Sequence, residues 1–347
     1  MLNRSSTFIE HFCKEFNTAI ATQADVEIFS ADYSVNFLSR IETQLPYRYS
    51  NEAQNYYLKY FFHGENEVRN TNLYFKIKNE IIGFTPISFS DKSRNISSNG
   101  ELILFPFFEK GVDQNLRELI NILFAETLIW FSESKKITIS GFQEYEISIT
   151  PRVTEILKLH KFSIGERQVF YKDCKGSRSD LWKSIRKSYK PYINNASEYL
   201  EIGIATGYGE SKVFDQFRDL HKVVAGRVTR SVETWNHQRD EMLQRKSFLC
   251  FAKYSGELVG GALICHNTNS ALYSVGAYRR DLNDLHLGHI LQWNSILYLN
   301  RMNISKYRIG DVKVKGSDQA STKENSIALF KRGFSDSLSV EKLFTPE

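Results

Sequence analysis

The chain has 347 residues, of which 41% are hydrophobic and 24% charged, with a formal net charge of +5 at neutral pH. These values are typical of a soluble globular protein that is long enough for about two domains. The mild positive charge permits anionic ligands, but the only dense Lys/Arg tract lies within residues 178–190, so the composition disfavours a dedicated nucleic-acid-binding protein.

The sequence predicts neither a membrane-spanning segment nor a metal site. No run approaches about 18 uninterrupted apolar residues, and the first residues lack the apolar stretch of a signal peptide, so we expect a cytoplasmic protein. The four cysteines have no metal-ligand spacing. Most of them lie in or beside apolar segments, where a small buried hydrophobic side chain is the simpler interpretation.

After about 70 residues of predicted helix and loop, the first half contains a strand hairpin. Two apolar runs, 72–78 and 81–89, flank an Asn79-Glu80 turn. The elements predicted next are a third strand over 102–108, a long helix over 116–131, a short strand over 136–140 and a helix that ends near Phe162.

The second half begins with elements that have no counterpart in the first. A basic amphipathic helix is predicted over 181–196, and Pro191 should end or kink it near Lys190. A strand over 199–205 follows, then a helix over 212–225 with one buried face, and a helix that Ser231 or Thr234 caps and that continues through Leu243.

The remainder of the second half repeats the order of the first. Residues 247–254 and 258–266 flank a Ser255-Gly256 turn, and a third strand follows at 271–278. A helix over 287–301, a short strand at 307–309 and a last helix ending in FKRGF at 330–334 complete the repeat. We therefore predict two related α/β (α+β) domains, 1–175 and 176–347, each with a mixed, mostly antiparallel sheet flanked by helices.

Several segments of the second half, taken in order, resemble the GCN5-related N-acetyltransferase (GNAT) fold, and more closely the Fem-type (FemAB-like) acyltransferases with two GNAT-like domains. The segments are LWKSIRKSYKPYINNA at 181–196, GRVTRSVETWNHQRDEM at 226–242, GELVGGALI at 256–264, LYSVGAYRR at 272–280, HILQWNSILYLNRMNISKYRIGD at 289–311 and KENSIALFKRGF at 323–334. The resemblance covers most of residues 178–335 and implies acyl transfer from a donor to an amine.

Two departures from these families concern the acyl donor. Fem enzymes that use aminoacyl-tRNA typically carry a long helical arm in the second domain, whereas here Ala196 leads directly to the strand predicted from Tyr199. The usual GNAT pyrophosphate loop is also absent, because the segment in its position, 278–289, contains a single glycine. The two departures together do not fix the acyl donor. The missing arm and the modest positive charge lead us to expect acyl-CoA as co-substrate, with aminoacyl-tRNA as the alternative.

Three residues are candidates for the acyl-transfer chemistry. His221 could act as the base, because a free histidine has a pKa near neutrality, although a half-buried helix histidine is the alternative. The resemblance places Asp311 at the floor of a cleft, where it could orient the amine or cap a turn. Tyr273 could donate a hydrogen bond near the reacting carbonyl, or serve in packing.

Six further residues are candidates for binding the substrate. Arg227 and Arg230 lie between two predicted helices, where arginine commonly captures phosphate or carboxylate. Trp235 with Gln238, and Trp293 with Gln292, could stack on and hydrogen-bond a sugar or base, or belong to the core. In addition to these six, Lys323, Lys331 and Arg332 on the last helix could lie beside a phosphate tail, although a solvated basic helix face is the simpler interpretation.

These observations predict an N-acyltransferase that acts on small-molecule substrates without a metal. It would move an acyl group from a CoA-type thioester to an amine of an amino sugar or cell-envelope precursor. We expect His221, Arg230, Tyr273 and Asp311 to converge in the second domain. The alternatives are an aminoacyl-tRNA-dependent Fem-type aminoacyltransferase and a non-catalytic GNAT-like ligand-binding protein.

Overall fold

A computed structural model of the chain describes residues 6–21, 25–31, 35–41, 44–63, 68–313 and 322–347. These residues form two compact units, Met1–Arg167 with Glu341–Glu347, and Gln168–Val340. The chain leaves the first unit within one long strand, and its last residues return to it within another. The predicted domain ranges, 1–175 and 176–347, remain a prediction.

The first unit contains five helices and eight complete strands among its described residues. The helices are α1 (Ser6–Ile20), α2 (Val35–Ile41), α3 (Asn51–Phe61), α4 (Gln114–Lys135) and α5 (Pro151–Leu159). The strands are β1 (Val26–Ala31), β2 (Val68–Ile77), β3 (Glu80–Ser90), β4 (Asn95–Ser97), β5 (Ile103–Leu104), β6 (Phe107–Phe108), β7 (Thr138–Ile139) and β8 (Phe142–Gln143), followed by the first part of β9 (Phe162–Asp173). One sheet has the order β1-β2-β3-β4-β7, and β6 also pairs with β3.

The core of the first unit is rich in aromatic side chains. Phe12 and Phe16 of α1 are buried against Phe75 of β2 and Phe124 of α4, with ring centroids between 5.8 and 6.4 Å apart. Such tilted and edge-to-face pairs add to the stabilisation that comes from burying the rings. The apolar face of α1 therefore packs on the sheet.

The single strand predicted over 102–108 is wrong. The structure divides this run into β5 and β6, with Phe105 and Pro106 between them. Proline cannot donate to a strand ladder, and the two pieces pair with different partners: β6 with β3, and β5 with β8.

The second unit begins with the rest of β9 and continues through six helices. The helices are α6 (Arg178–Ser184), α7 (Lys190–Tyr199), α8 (Ser211–Ala225), α9 (Val232–Leu243), α10 (Leu287–Arg301) and α11 (Thr322–Arg332). The strands are β10 (Glu201–Ala205), β11 (Ser247–Tyr254), β12 (Glu257–His266), β13 (Ser270–Tyr278) and β14 (Lys306–Lys313), followed by the first part of β15 (Ser337–Pro346). The strands lie in the order β10-β11-β12-β13-β14.

Helices cover both faces of this sheet. Buried residues of α8 and α9, among them Phe217 and Trp235, pack with Val275 and Ala277 of β13 on one face. Buried residues of α7 and α10 form the larger core on the other face. Ser231 caps α9 by accepting a hydrogen bond from the Thr234 backbone, which confirms one of the two predicted caps.

Pro191 does not end a helix as predicted but begins one. The predicted helix over 181–196 is divided into α6 and α7, and Pro191 lies in the first turn of α7. Proline is favoured there because the first backbone N–H groups of a helix have no partner within it.

The two predicted hairpins are confirmed. β2 pairs antiparallel with β3, and β11 pairs antiparallel with β12, in separate units. Each hairpin is followed by further strand pieces, a helix over the sheet, one or two more strands and a helix; the strand in the second unit, β14, has eight residues and is longer than the predicted 307–309. The mixed α/β architecture predicted from the repeated order is therefore observed.

A buried ion pair fixes the segment that follows α11. The Lys172 ammonium is almost wholly buried and lies 2.7 Å from the Asp336 carboxylate, which also accepts from the Asp173 backbone N–H at 2.9 Å. The Asp336 backbone N–H donates to the Tyr171 carbonyl at 2.9 Å. These contacts anchor the chain directly after α11 to the end of β9.

We expect Asp336→Asn to lower the free energy of unfolding by about 3 kcal/mol, because it leaves the buried Lys172 ammonium without a counter-charge. Asp281→Asn is the matched control. The Arg279–Asp281 pair is exposed, so its loss should leave the free energy of unfolding unchanged. Urea unfolding of the full chain measures both variants. Equal stability of the two would contradict a structural role for the buried pair.

Candidate active site

Strands β13 and β14 pair over only three residues and then diverge. Their parallel register joins Ser270 to Lys306, Ala271 to Tyr307 and Leu272 to Arg308. Beyond these pairs β13 continues to Tyr278 and β14 to Lys313. The divergence creates an opening in the sheet, bordered by the backbone of both strands.

Irregularities in both strands mark this opening. The β12–β13 register shifts between Leu263 and Ile264, so that Ser274 forms a bulge in β13. Two residues later, Gly276 lies so close to the Tyr273 hydroxyl that an added Cβ would overlap it. On β14, Gly310 has a φ of +136°, a conformation that strains other residues, and an added Cβ would lie 2.5 Å from the Lys331 ammonium.

Two tyrosines beside the opening share a hydrogen bond. The hydroxyls of Tyr273 and Tyr278 are 2.7 Å apart. Burial raises the pKa of Tyr273 to about 12 and also raises the pKa of Tyr278, so both hydroxyls stay protonated at neutral pH. Tyr307, which pairs with Ala271, donates to Gln292 Oε1 at 2.8 Å. Both Tyr307 and Gln292 are wholly buried, so Gln292 belongs to the core beside the site.

Lys331 of α11, for which the sequence predicted either a place beside a phosphate tail or a solvated basic helix face, is instead half-buried against β14. Its ammonium donates to the Asp311 carbonyl at 3.1 Å and lies against Gly310. Burial lowers the pKa of Lys331; Asp311 acts in the opposite direction, and Arg308 lowers it further. The sequence feature that could have indicated this contact is Gly310 in YRIGD, because a residue without a side chain leaves room for a side chain from another element.

His221, Arg230 and Trp235 form one cluster on the face covered by α8 and α9. The His221 Nε2 is 3.4 Å from the Arg230 guanidinium, whose carbon lies 5.4 Å from the Trp235 ring centroid. The His221 and Trp235 rings meet edge to face at 5.2 Å. Burial and then the Arg230 charge lower the pKa of His221 from 6.5, so its imidazole is neutral at neutral pH.

The other candidates on this face differ in position. Gln238 is buried and its Nε2 donates to the Ser274 hydroxyl at 3.3 Å, which joins α9 to the bulge of β13. Arg227 follows the left-handed Gly226 that ends α8, and its side chain is exposed.

The structure brings together only some of the residues predicted to converge. His221 and Arg230 are in contact, whereas Tyr273 packs on the opposite face of β13, against the α7–α10 core. Asp311 is exposed on β14 beyond the last strand pair and presents its carbonyl to Lys331. The catalytic and binding roles of all nine candidates remain predictions.

Trp293 lies in a different part of the unit. Its ring is tilted against Trp182 at 4.9 Å, and both rings line a cavity of about 590 Å³. Residues of α6, α7, α10 and the edge strand β10 complete the lining. A ligand that stacks on Trp293 would therefore bind at the β10 edge and away from the opening.

The ends of two comparable helices differ between the units. α10 follows β13 after a short helical segment, and His286 at its N-cap makes no capping bond through its side chain. At α4, by contrast, the Asp113 carboxylate accepts from the backbone N–H groups of Asn115 and Leu116. The backbone N–H groups in the first turn of α10 are therefore available to an anionic ligand, whereas those of α4 already bind the Asp113 carboxylate.

Comparisons with solved structures identify the fold. A crystal structure of FemX matches 90% of this chain over 96% of its own length, with a TM-score of 0.65 and 12% identity. A conserved protein of unknown function from Bacteroides thetaiotaomicron matches 92% of the chain over its full length, with a TM-score of 0.56 and 10% identity. The chain has a FemAB-like GNAT fold.

A third solved structure supports the same fold. It is the C-terminal domain of a predicted lysylphosphatidylglycerol synthetase from Agrobacterium fabrum, with a TM-score of 0.51, 10% identity, and coverage of 90% of this chain and 91% of its own. No family model and no curated protein matches the sequence. The predicted fold is confirmed, and the activity has to be argued from the site.

Two further findings hold for the described part of the chain. Its histidine, cysteine, aspartate and glutamate side chains form no group of three or more that could hold a metal ion. None of its helices combines the length and the apolar character needed to cross a membrane.

We expect Arg230→Gln to raise the pKa of His221 while leaving it below 6.5, because burial is the larger cause of the lowered value. The His221 imidazole binds its proton more weakly in the folded than in the unfolded protein. Its contribution to stability is therefore full above pH 6.5 and is lost as the pH falls through the folded pKa. NMR titration of the His221 imidazole measures the pKa. A value above 6.5 in the parent would contradict the buried placement.

Proposed function

We propose that the protein is an N-acyltransferase whose working site is the opening between β13 and β14. It transfers an acyl group from a CoA-type thioester to the amine of an amino sugar or cell-envelope precursor. The observation that carries this proposal is the divergence of the two strands after three residue pairs. Unpaired backbone N–H groups at such an opening can bind a carbonyl oxygen that becomes negatively charged.

Groups that border the opening would stabilise the charge that develops during acyl transfer. The amine nitrogen attacks the thioester carbon, the C–S bond breaks, and the amine loses a proton. Backbone N–H groups and the paired Tyr273 and Tyr278 hydroxyls stabilise the developing oxyanion, while Lys331 adds positive charge nearby. The departing thiolate takes up a proton, so atoms and charges balance.

His221 is our candidate for accepting the proton of the amine. Its lowered pKa keeps the imidazole neutral, as a base must be before the reaction. It lies on the α8–α9 face, so the amine would approach from that side. The acyl donor would enter from the α10 side, and the opening in the sheet would let the two meet.

The acyl donor fits best on the α10 side as a CoA-type thioester. The first turn of α10 has no side-chain cap, and helix N-termini bind phosphate groups through their backbone N–H groups. α7 ends at Tyr199 and β10 begins at Glu201, so no helical arm is inserted there. Both observations favour a CoA-sized donor over tRNA.

Arg230 is our candidate for holding an anionic group of the acceptor. Its guanidinium is placed by Trp235 and His221 and is half-buried, which strengthens its hydrogen bonds to phosphate or carboxylate. Trp235 is buried beneath it. We therefore assign the indole to positioning Arg230, in place of the predicted stacking on a sugar.

Aminoacyl-tRNA remains the second candidate donor, because the fold matches FemX and the synthetase domain. A non-catalytic ligand-binding protein is the third possibility. One assay distinguishes these three functions. The protein is mixed with a panel of amino sugars and amino acids, together with acetyl-CoA, a longer acyl-CoA or charged tRNA.

We expect thiol release from an acyl-CoA that depends on the amine. Lys331→Met should lower kcat by about 10²-fold, as expected when one oxyanion-stabilising group is removed. Arg332→Met is the control, since it removes a neighbouring exposed charge on the same helix, and it should leave kcat unchanged. Amine acylation from charged tRNA alone, or no acylation by any donor, would contradict the proposed donor.

The same assay tests the assignment of the base. His221→Gln should lower kcat by about 10²-fold at neutral pH, whereas Arg230→Gln should mainly raise KM, because a bound anion is held alike in ground and transition states. Asp311→Asn tests in the same way whether Asp311, the other candidate, acts as the base. If His221→Gln and Asp311→Asn both keep kcat within a few-fold, neither is the base.

A further inference from the structure

A second cavity, of about 370 Å³, lies wholly within the first unit. Its lining comes from the first two turns of α4, from β6 and the residues beside it, and from the segment 146–150 that precedes α5. Phe107, Phe108 and Ile147 form an apolar wall. In the repeated order of elements, α4 and β6 correspond to α10 and β13 of the second unit.

Three buried polar atoms on the lining of this cavity have no hydrogen-bond partner among the residues that the structure describes. They are Arg117 Nε, Asn121 Oδ1 and Thr150 Oγ1. The Asn121 side chain belongs to a residue that is only 7% exposed. Buried polar atoms are nearly always paired, because leaving one unpaired costs free energy. Their grouping around one cavity gives a polar ligand three groups to which it can hydrogen-bond.

Thr150 differs from the serine N-caps of the described helices in a way that supports this conclusion. It occupies the N-cap position of α5 but makes no side-chain capping bond. Ser50, Ser177 and Ser231 each accept a backbone N–H at the same position of their helices. The Thr150 hydroxyl lines the cavity although a cap would be stabilising.

The first turn of α4 is not available to bind a phosphate group. Asp113 already accepts from the first backbone N–H groups of α4, and its carboxylate would repel a second anion there. Arg117, one turn further along the helix, donates to the Glu109 carbonyl at 3.0 Å and forms no ion pair with a described carboxylate. Lys110, Glu118 and Glu146 also line the cavity, so its charges nearly cancel, and the half-buried Arg117 guanidinium suits the single carboxylate of a ligand that also carries an amine.

We propose that this cavity binds an α-amino carboxylate with an apolar side chain. The carboxylate accepts from Arg117 Nε and the Thr150 hydroxyl, the α-nitrogen donates to Asn121 Oδ1, and the side chain packs against Phe107 and Phe108. Both a free amino acid and the last residue of a peptide present this chemistry. The proposal is independent of the acyl-transfer site in the second unit.

Isothermal titration of the full chain with three probes tests the proposal. L-leucine and N-acetyl-L-leucine represent the free and the peptide-like source, and L-leucinamide lacks the carboxylate. We expect saturable binding of L-leucine or N-acetyl-L-leucine, with a Kd at least tenfold lower than for L-leucinamide. The tighter of the two acids identifies the source. Equal binding of all three, or binding of none, would overturn the proposal.

Asn121→Leu supplies the matching variant. It should weaken binding at least tenfold without lowering the melting temperature, because Asn121 Oδ1 has no protein partner to lose. Asn115→Leu, on an exposed position of the same helix, should leave binding unchanged. Should Asn121→Leu fail to fold, Thr150→Val replaces it. If the variant used binds the ligand as tightly as the parent protein does, or if Asn115→Leu weakens binding equally, the polar atoms of the cavity do not bind the ligand.

Discussion

The short parallel pairing of β13 with β14 is the constraint on which the proposed site depends. A continuous ladder would use the backbone groups of both strands within the sheet and would separate its two faces completely. Because pairing stops after Leu272 and Arg308, the backbone of β13 and β14 borders an opening. The tyrosine pair and Lys331 lie beside it, and the His221 cluster lies on the face covered by α8 and α9.

Glycines at two positions make this arrangement possible. Gly276 leaves space for the Tyr273 hydroxyl, and Gly310 both adopts a positive φ and leaves space for the Lys331 ammonium. Lys331 in turn depends on the position of α11, which the buried Lys172–Asp336 pair fixes from the other end. The site is thus held by packing and ion pairing in several elements, with no single sequence motif responsible.

The two units share an order of elements, but we propose different ligands for them. In the second unit α10 has an uncapped first turn beside two diverging strands, which suits a phosphate-bearing donor. In the first unit Asp113 caps α4, and the neighbouring cavity presents isolated polar atoms and phenylalanine rings. A negatively charged cap in one unit and its absence in the other accounts for the different ligands that we propose.

Sequence reasoning predicted the elements whose signals are local. The apolar face of α8, the Ser231 cap of α9 and the two hairpins follow from spacing and turn residues close together in the chain. Pro191 and the run 102–108 were misassigned, because a proline fits both a helix start and a strand interruption until its neighbours are known. The burial of Lys331 and the Tyr273–Tyr278 bond could not be predicted, since both depend on elements distant in sequence.

A crystal structure of the protein with a hydrolysis-resistant acyl-CoA analogue tests the central claim most directly. The account predicts the analogue's carbonyl oxygen in the opening, about 3 Å from a backbone N–H of β13 or β14 beyond the last strand pair, with its phosphates at the first turn of α10. An analogue bound in the Trp182–Trp293 cavity, with the opening unoccupied, would contradict it.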